Sequence, residues 1–125
     1  MSEYPAEAIP DQDNLYLRVH RNHFLRGEIL SPAFKGHPPG ALSTNWCKYS
    51  TPKEARAQGR QPPENYGVVG LRVGAVRKIP QQVVLHSPLP ENRAHTDVRG
   101  PKGTDEVIDG FVAASTWKVR LGEPL

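Results

Sequence analysis

A chain of 125 residues, 37% of them hydrophobic and 13 of them proline, has the length of one domain and the composition of a compact core carrying many ordered loops. No apolar run approaches the roughly 20 residues that cross a bilayer, and the acidic opening MSEYPAEAIPDQD is no signal peptide. Cys47 has no second cysteine to pair with, so the expectation is a soluble protein of a reducing cytoplasm, with no membrane partner. The net charge of +3 divides unevenly, with −4 over residues 1–17, +8 over 18–78 and −1 over 79–125, and the basic middle favours anionic partners.

Residues 1–13 hold two prolines, four acids and little apolar periodicity, which predicts an acidic arm of mobile composition ahead of one globular domain over 14–125. Leu15, Leu17 and Val19 alternate with Tyr16, Arg18 and His20, the period of a strand with one face on the core. Gly27 and Pro32 forbid a long helix in HRNHFLRGEILSPAF, leaving a helical turn and an extended piece. A short strand is expected over Ala41 to Trp46. Thr51, Pro52 and Glu54 then spell a capped helix start, and Gly59 its end. Residues 67–79 place Val69, Leu71 and Val73 on one face and read as one bent strand or two, broken at Gly74. Gln82 to His86 is another strand. A turn-rich stretch, 91–104, leads to a helix from Thr104 or Asp105 to near Trp117. About five short strands and two or three helices in mixed order predict an α+β fold with many proline-rich loops.

The common nucleotide, zinc and hydrolase signatures are absent. His20, His23, His37 and Cys47 have metal-ligand chemistry, but their spacing matches no standard site and no metal is assigned to them. The densest chemistry is His86 to Asp97, where prolines at 88 and 90 stiffen a run holding His86, Glu91, Asn92, Arg93, His95 and Asp97. A histidine beside a carboxylate can serve as general acid or base, which makes His95 the catalytic candidate with Glu91 or Asp97 to orient it. Trp46, Lys48, Tyr49 and Lys53 interleave rings and cations as base-stacking surfaces do, although the indole of Trp46 is more often a core anchor.

The segments LYLRVH, GEILSPAFKG, LSTNWCKYSTPKEA and HSPLPENRAHTDV resemble a family of small bacterial proteins of uncharacterised function. The shared pieces fall at Leu15 to Val19, Gly27 to Phe34, Leu42 to Trp46 and Pro88 to His95. The resemblance implies a bacterial, cytoplasmic, single-domain protein and brings no activity with it. A fainter likeness is to ADP-ribosyl-transferase folds, which would place Arg18 on the opening strand, Ser43-Thr44 on a serine-led strand and Glu91 near the centre; the E-x-E pair of the toxin branch is missing.

Three functions follow as expectations. The first is binding of an anionic ligand, a nucleotide or RNA, through Arg18, Arg21, Arg26, Trp46, Lys48, Arg72, His86 and Asn92. The second is a protein-partner module of a toxin–antitoxin or defence pair, its basic face masked by the acidic arm. The third is a small nucleotide-processing enzyme using His95 and Glu91, with Arg18 on phosphate. No cofactor is indicated by any motif.

Overall fold

The alternation at residues 14–20 does what it predicts. Leu15, Leu17 and Val19 are buried at 4% exposure or less, and β1 (Asn14–His20) becomes a central strand of the molecule. The computed structural model describes residues 4–36, 40–59 and 62–124. After β1 come a 3-10 turn over Arg21–His23, β2 (Phe24–Leu25), β3 (Glu28–Ile29), α1 (Pro32–Lys35) and β4 (Ala41–Trp46). The order continues with α2 (Pro52–Ala57), β5 (Tyr66–Arg72), α3 (Val73–Arg77), β6 (Val83–His86), β7 (His95–Arg99), α4 (Asp105–Ala114) and β8 (Ser115–Val119). Six of these strands form one antiparallel sheet in the order β6-β7-β4-β1-β5-β8, and β2 and β3 make a small hairpin apart from it. The fold is α+β.

One face of the sheet is the core. Leu42, Trp46, Val69, Leu71, Val84 and Val98 join the β1 residues there, covered by Val73 and Val76 of α3, Val107 and Phe111 of α4, and Phe34 of α1, whose ring stacks on Phe111 at 5.6 Å. Burial of this apolar surface is the main stabilising term. The other face is half covered by α2, which lies over β1, β5 and β8 and buries Ala55 and Val68. The capping box is present in full. The Thr51 hydroxyl accepts from the Glu54 N–H at 3.1 Å, and the Glu54 carboxylate accepts from the Thr51 N–H at 2.9 Å. Arg56 of α2 is buried and donates to the carbonyls of Pro63, Tyr66, Glu123 and Pro124, tying the chain's end to the helix. Lys102 is also buried, its ammonium donating to the carbonyls of Gly40, Val98 and Gly100 at 2.9–3.2 Å.

The structure corrects the expected elements in four places. Residues 73–77 are a helix, because Val73 and Val76, one turn apart, both fit the core, while the Val73 and Gly74 N–H groups donate to Asp13 and Asp11 carbonyls. Gly74 lies so close to Asp11 that an added Cβ would sit 3.1 Å from the Asp11 Cβ. The last helix stops at Ala114 and the chain turns into β8, where the Ser115 hydroxyl takes the Phe111 carbonyl. Residues 95–99, expected as turn, are β7, with Thr96 and Val98 inward. By contrast, the helical turn and extended piece expected in this region are present as the 3-10 turn over Arg21–His23 and the strands β2 and β3, which close into a hairpin about Arg26 and Gly27, both at positive φ as a two-residue turn requires. Residues 4–13, read from composition as an arm, run against the domain. Ile9 is in the core, Asp13 accepts from the Trp46 indole N–H at 2.9 Å, and the Arg77 guanidinium grips the Ile9 carbonyl and the Asp11 carboxylate.

Candidate functional site

The site begins with a pairing that stops. β1 and β5 pair along the whole length of β1, but β1 and β4 match only at Leu15 with Trp46 and Tyr16 with Asn45. Carried two residues further, the same register would set Arg18 opposite Ser43. Instead the strands part there, and their facing edges border a cleft of about 570 Å³. Leu17, Leu42, Pro32 and Ala33 give it apolar surface, Tyr66 and His23 give it rings, and Arg18 and Ser43 stand on its opposite walls. Strand alternation puts Arg18, Ser43, Asn45, His95 and Asp97 together on the face away from the core, since Asn45 pairs with His95 and Ser43 with Asp97.

Arg18 is half-buried, and its one hydrogen bond among the described residues runs from Nη1 to the Ala55 carbonyl of α2 at 2.9 Å. Among the described residues it has no carboxylate partner. Burial draws its pKa below the ordinary value, opposed by the neighbouring Tyr66. A guanidinium held this way retains donors for an anion in the cleft.

Behind Ser43 lies a polar cluster. His95 Nδ1 is 3.0 Å from the Ser87 carbonyl and 3.1 Å from the Ser87 hydroxyl; the carbonyl can only accept, so the neutral tautomer that satisfies both contacts carries its proton on Nδ1. Nε2 is then an acceptor, 3.4 Å from the Ser43 hydroxyl and 3.7 Å from an Asp97 carboxylate oxygen. Asp97 also accepts from the Ser87 hydroxyl and from Arg99, each at 3.2 Å. His95 and Asp97 are thus rigid parts of β7, not members of a loop. Glu91 does not join them. It is exposed at the turn before β7 and makes no ion pair among the described residues, so the carboxylate beside His95 is that of Asp97.

The remaining ligand candidates are scattered. Trp46 is 1% exposed on the core face, where its ring area is worth most, so it is not a stacking platform. His86 is buried with both ring nitrogens engaged: Nδ1 accepts from the Glu7 N–H and Nε2 donates to the Arg93 carbonyl. Asn92 pins the 87–95 segment to Asn45 and Gln58. Lys48 pairs with Glu7 at 2.7 Å, which raises its pKa and lowers that of Glu7. Arg21 is exposed and donates to Asn65, Arg26 is exposed in its hairpin turn, and Arg72 lines a separate depression with Asp11 and Lys78. Thr44 turns to the core face and donates to the Thr96 carbonyl. His37 lies outside the described residues, among which no group of three or more His, Cys, Asp or Glu side chains could hold a metal ion.

Of the candidates, the structure therefore gathers Arg18, His95 and Asp97 with Ser43, which the fainter likeness set on a serine-led strand, and with His23, named before only for its metal-ligand chemistry, and it adds Tyr66 and Ser87. The signal for Ser43 was present as its place in the alternation of β4, two before Asn45. No protein family, curated protein or solved structure matches the chain.

Proposed function

We propose that the cleft between β1 and β4 binds an anionic ligand of nucleotide size, with Arg18 on the phosphate and Tyr66 and His23 against the ring. The observation that carries this reading is the half-buried Arg18 guanidinium, which lines the cleft and has, among the described residues, a single backbone carbonyl for partner. A buried cation without a counter-ion is costly, and an anion that enters relieves that cost. The volume of about 570 Å³ lies within the usual span of small-molecule sites. A small ligand fits better than RNA, because cations of the basic middle are taken up individually: Lys48 by Glu7, Arg77 by Asp11, Arg56 by carbonyls. The free thiol of Cys47 suits a reducing, cytoplasmic setting.

Calorimetric titration with AMP, ADP and NAD tests the reading, using the wild type and Arg18→Gln, which removes the charge and shortens the side chain. Binding by the wild type that weakens by about tenfold to a hundredfold in Arg18→Gln is expected, the loss of one charge-assisted contact. Absence of binding by all three nucleotides, or equal binding by the variant, rejects it.

A further inference from the structure

The cleft holds more than an anion site, because its Ser43 wall is built as a nucleophile and base. We propose that Ser43 is a catalytic nucleophile activated by His95, and that the protein transfers or hydrolyses the acyl group of a phosphate-bearing carboxylic ester. This rests on the reading of the cleft as a phosphate-ligand site.

Three features support it. Ser43 is exposed at the cleft edge, with its hydroxyl 3.4 Å from His95 Nε2, a separation that can tighten when substrate closes the site. The ring cannot turn freely, because Nδ1 is held by the Ser87 carbonyl at 3.0 Å, and that bond leaves Nε2 as the acceptor a general base needs. The Asp97 carboxylate, 3.7 Å from Nε2, is placed to stabilise the imidazolium once the proton arrives. Nucleophile, base, and a group that orients the base are the parts of hydrolytic triads on unrelated folds, here with a backbone carbonyl as the orienting group. Arg18 across the cleft supplies the contact for phosphate. Among the described residues no strand pairs with the facing edges of β1 beyond Tyr16 and of β4 before Asn45.

The step balances with water as the second reactant. The Ser43 oxygen attacks the ester carbonyl carbon as its proton passes to His95 Nε2. The tetrahedral adduct collapses, the bond to the leaving oxygen breaks, and that oxygen takes the proton from Nε2 as the alcohol departs. Water then gives a proton to the same nitrogen and attacks acyl-Ser43. Ser43 leaves with that proton, and a carboxylic acid is released. A phosphate on the alcohol portion sits on Arg18 until that alcohol departs.

The test is covalent labelling of the full chain by a fluorophosphonate, which forms an O–P bond to an activated serine with loss of fluoride. Mass spectrometry of the tryptic peptide spanning residues 36–48 then locates the adduct. The comparison variant is His95→Asn, whose amide nitrogen can still donate to the Ser87 carbonyl while Nε2 is gone. The expected result is an adduct on Ser43, formed about a hundredfold more slowly in His95→Asn, and slowed by AMP in the wild type. A chain that binds nucleotide through Arg18 but gains no Ser43 adduct, or gains it equally fast in His95→Asn, overturns the nucleophile and leaves the ligand site standing. A His95-dependent adduct in a chain that binds no nucleotide rejects the ligand site and keeps the nucleophile. An adduct indifferent to AMP overturns their union in one cleft.

Discussion

Two buried cations show how much a residue's setting decides. Arg18 and Lys102 both reach backbone carbonyls and neither has a carboxylate partner among the described residues, yet half-buried Arg18 opens on a cleft while Lys102 is enclosed at 5% exposure. Burial lowers the Lys102 pKa from 10.5 to about 8. Its pKa is thus lower folded than unfolded, and the unfolded chain binds more protons between about pH 8 and 10.5. Stability from this group rises with pH across that window and is constant below it, where both states are charged. Urea unfolding of wild type and Lys102→Met should show the difference between them moving in favour of the wild type by about 2 kcal/mol from pH 7.5 to 10. A difference that stays flat would mean that the three carbonyls hold the ammonium charged throughout. At this scale the sequence exposed residue types but not their company. Arg18, His95 and Asp97 were legible as chemistry, whereas the choice of Asp97 over Glu91 depended on β7, and the inward turn of Trp46 depended on which face of β4 meets the core.

Elements were legible where local chemistry is strong. The capping box of α2 and the alternation of β1 need no tertiary help, and both formed as expected. β7 was hidden because its inward residues are Thr96 and Val98, and threonine does not announce a core position. Thr96 is nonetheless fully buried, its hydroxyl spent on the Ala94 carbonyl. Residues 73–77 were misread because valines satisfy a strand period and a helical turn equally over so short a span. The same helix presents the Ala55 carbonyl that holds Arg18. Thr51→Ala removes the cap and should cost about 1 kcal/mol in urea unfolding, with fraying of α2 seen as loss of helical ellipticity. An unchanged midpoint would show that packing alone sustains the helix.

For the whole molecule, the charge division seen along the chain is resolved in space. The opening segment folds back so that Glu7 reaches Lys48, with Arg93 at 3.9 Å, and Asp11 reaches Arg77. Compositional reasoning marked this segment as an arm because two prolines, four acids and little apolar periodicity surround Ile9. Yet Ile9 is 4% exposed within the core cluster. Ile9→Ala should therefore destabilise the entire domain by about 2–4 kcal/mol in one cooperative transition. A loss under about 0.5 kcal/mol, the level of ordinary surface changes, would show the segment to be peripheral.

The parting of β1 from β4 occurs at the middle of the sheet, not at its rim. It divides the sheet into two leaves, β6-β7-β4 and β1-β5-β8, stitched at Leu15–Trp46 and Tyr16–Asn45. Arg18 belongs to one leaf and Ser43, His95 and Asp97 to the other. The distance between a bound phosphate and the attacking oxygen is then a mechanical variable of the fold, set by how far the seam is unzipped. Changing the side chains at those stitches would alter reach across the cleft without touching any group that contacts the ligand.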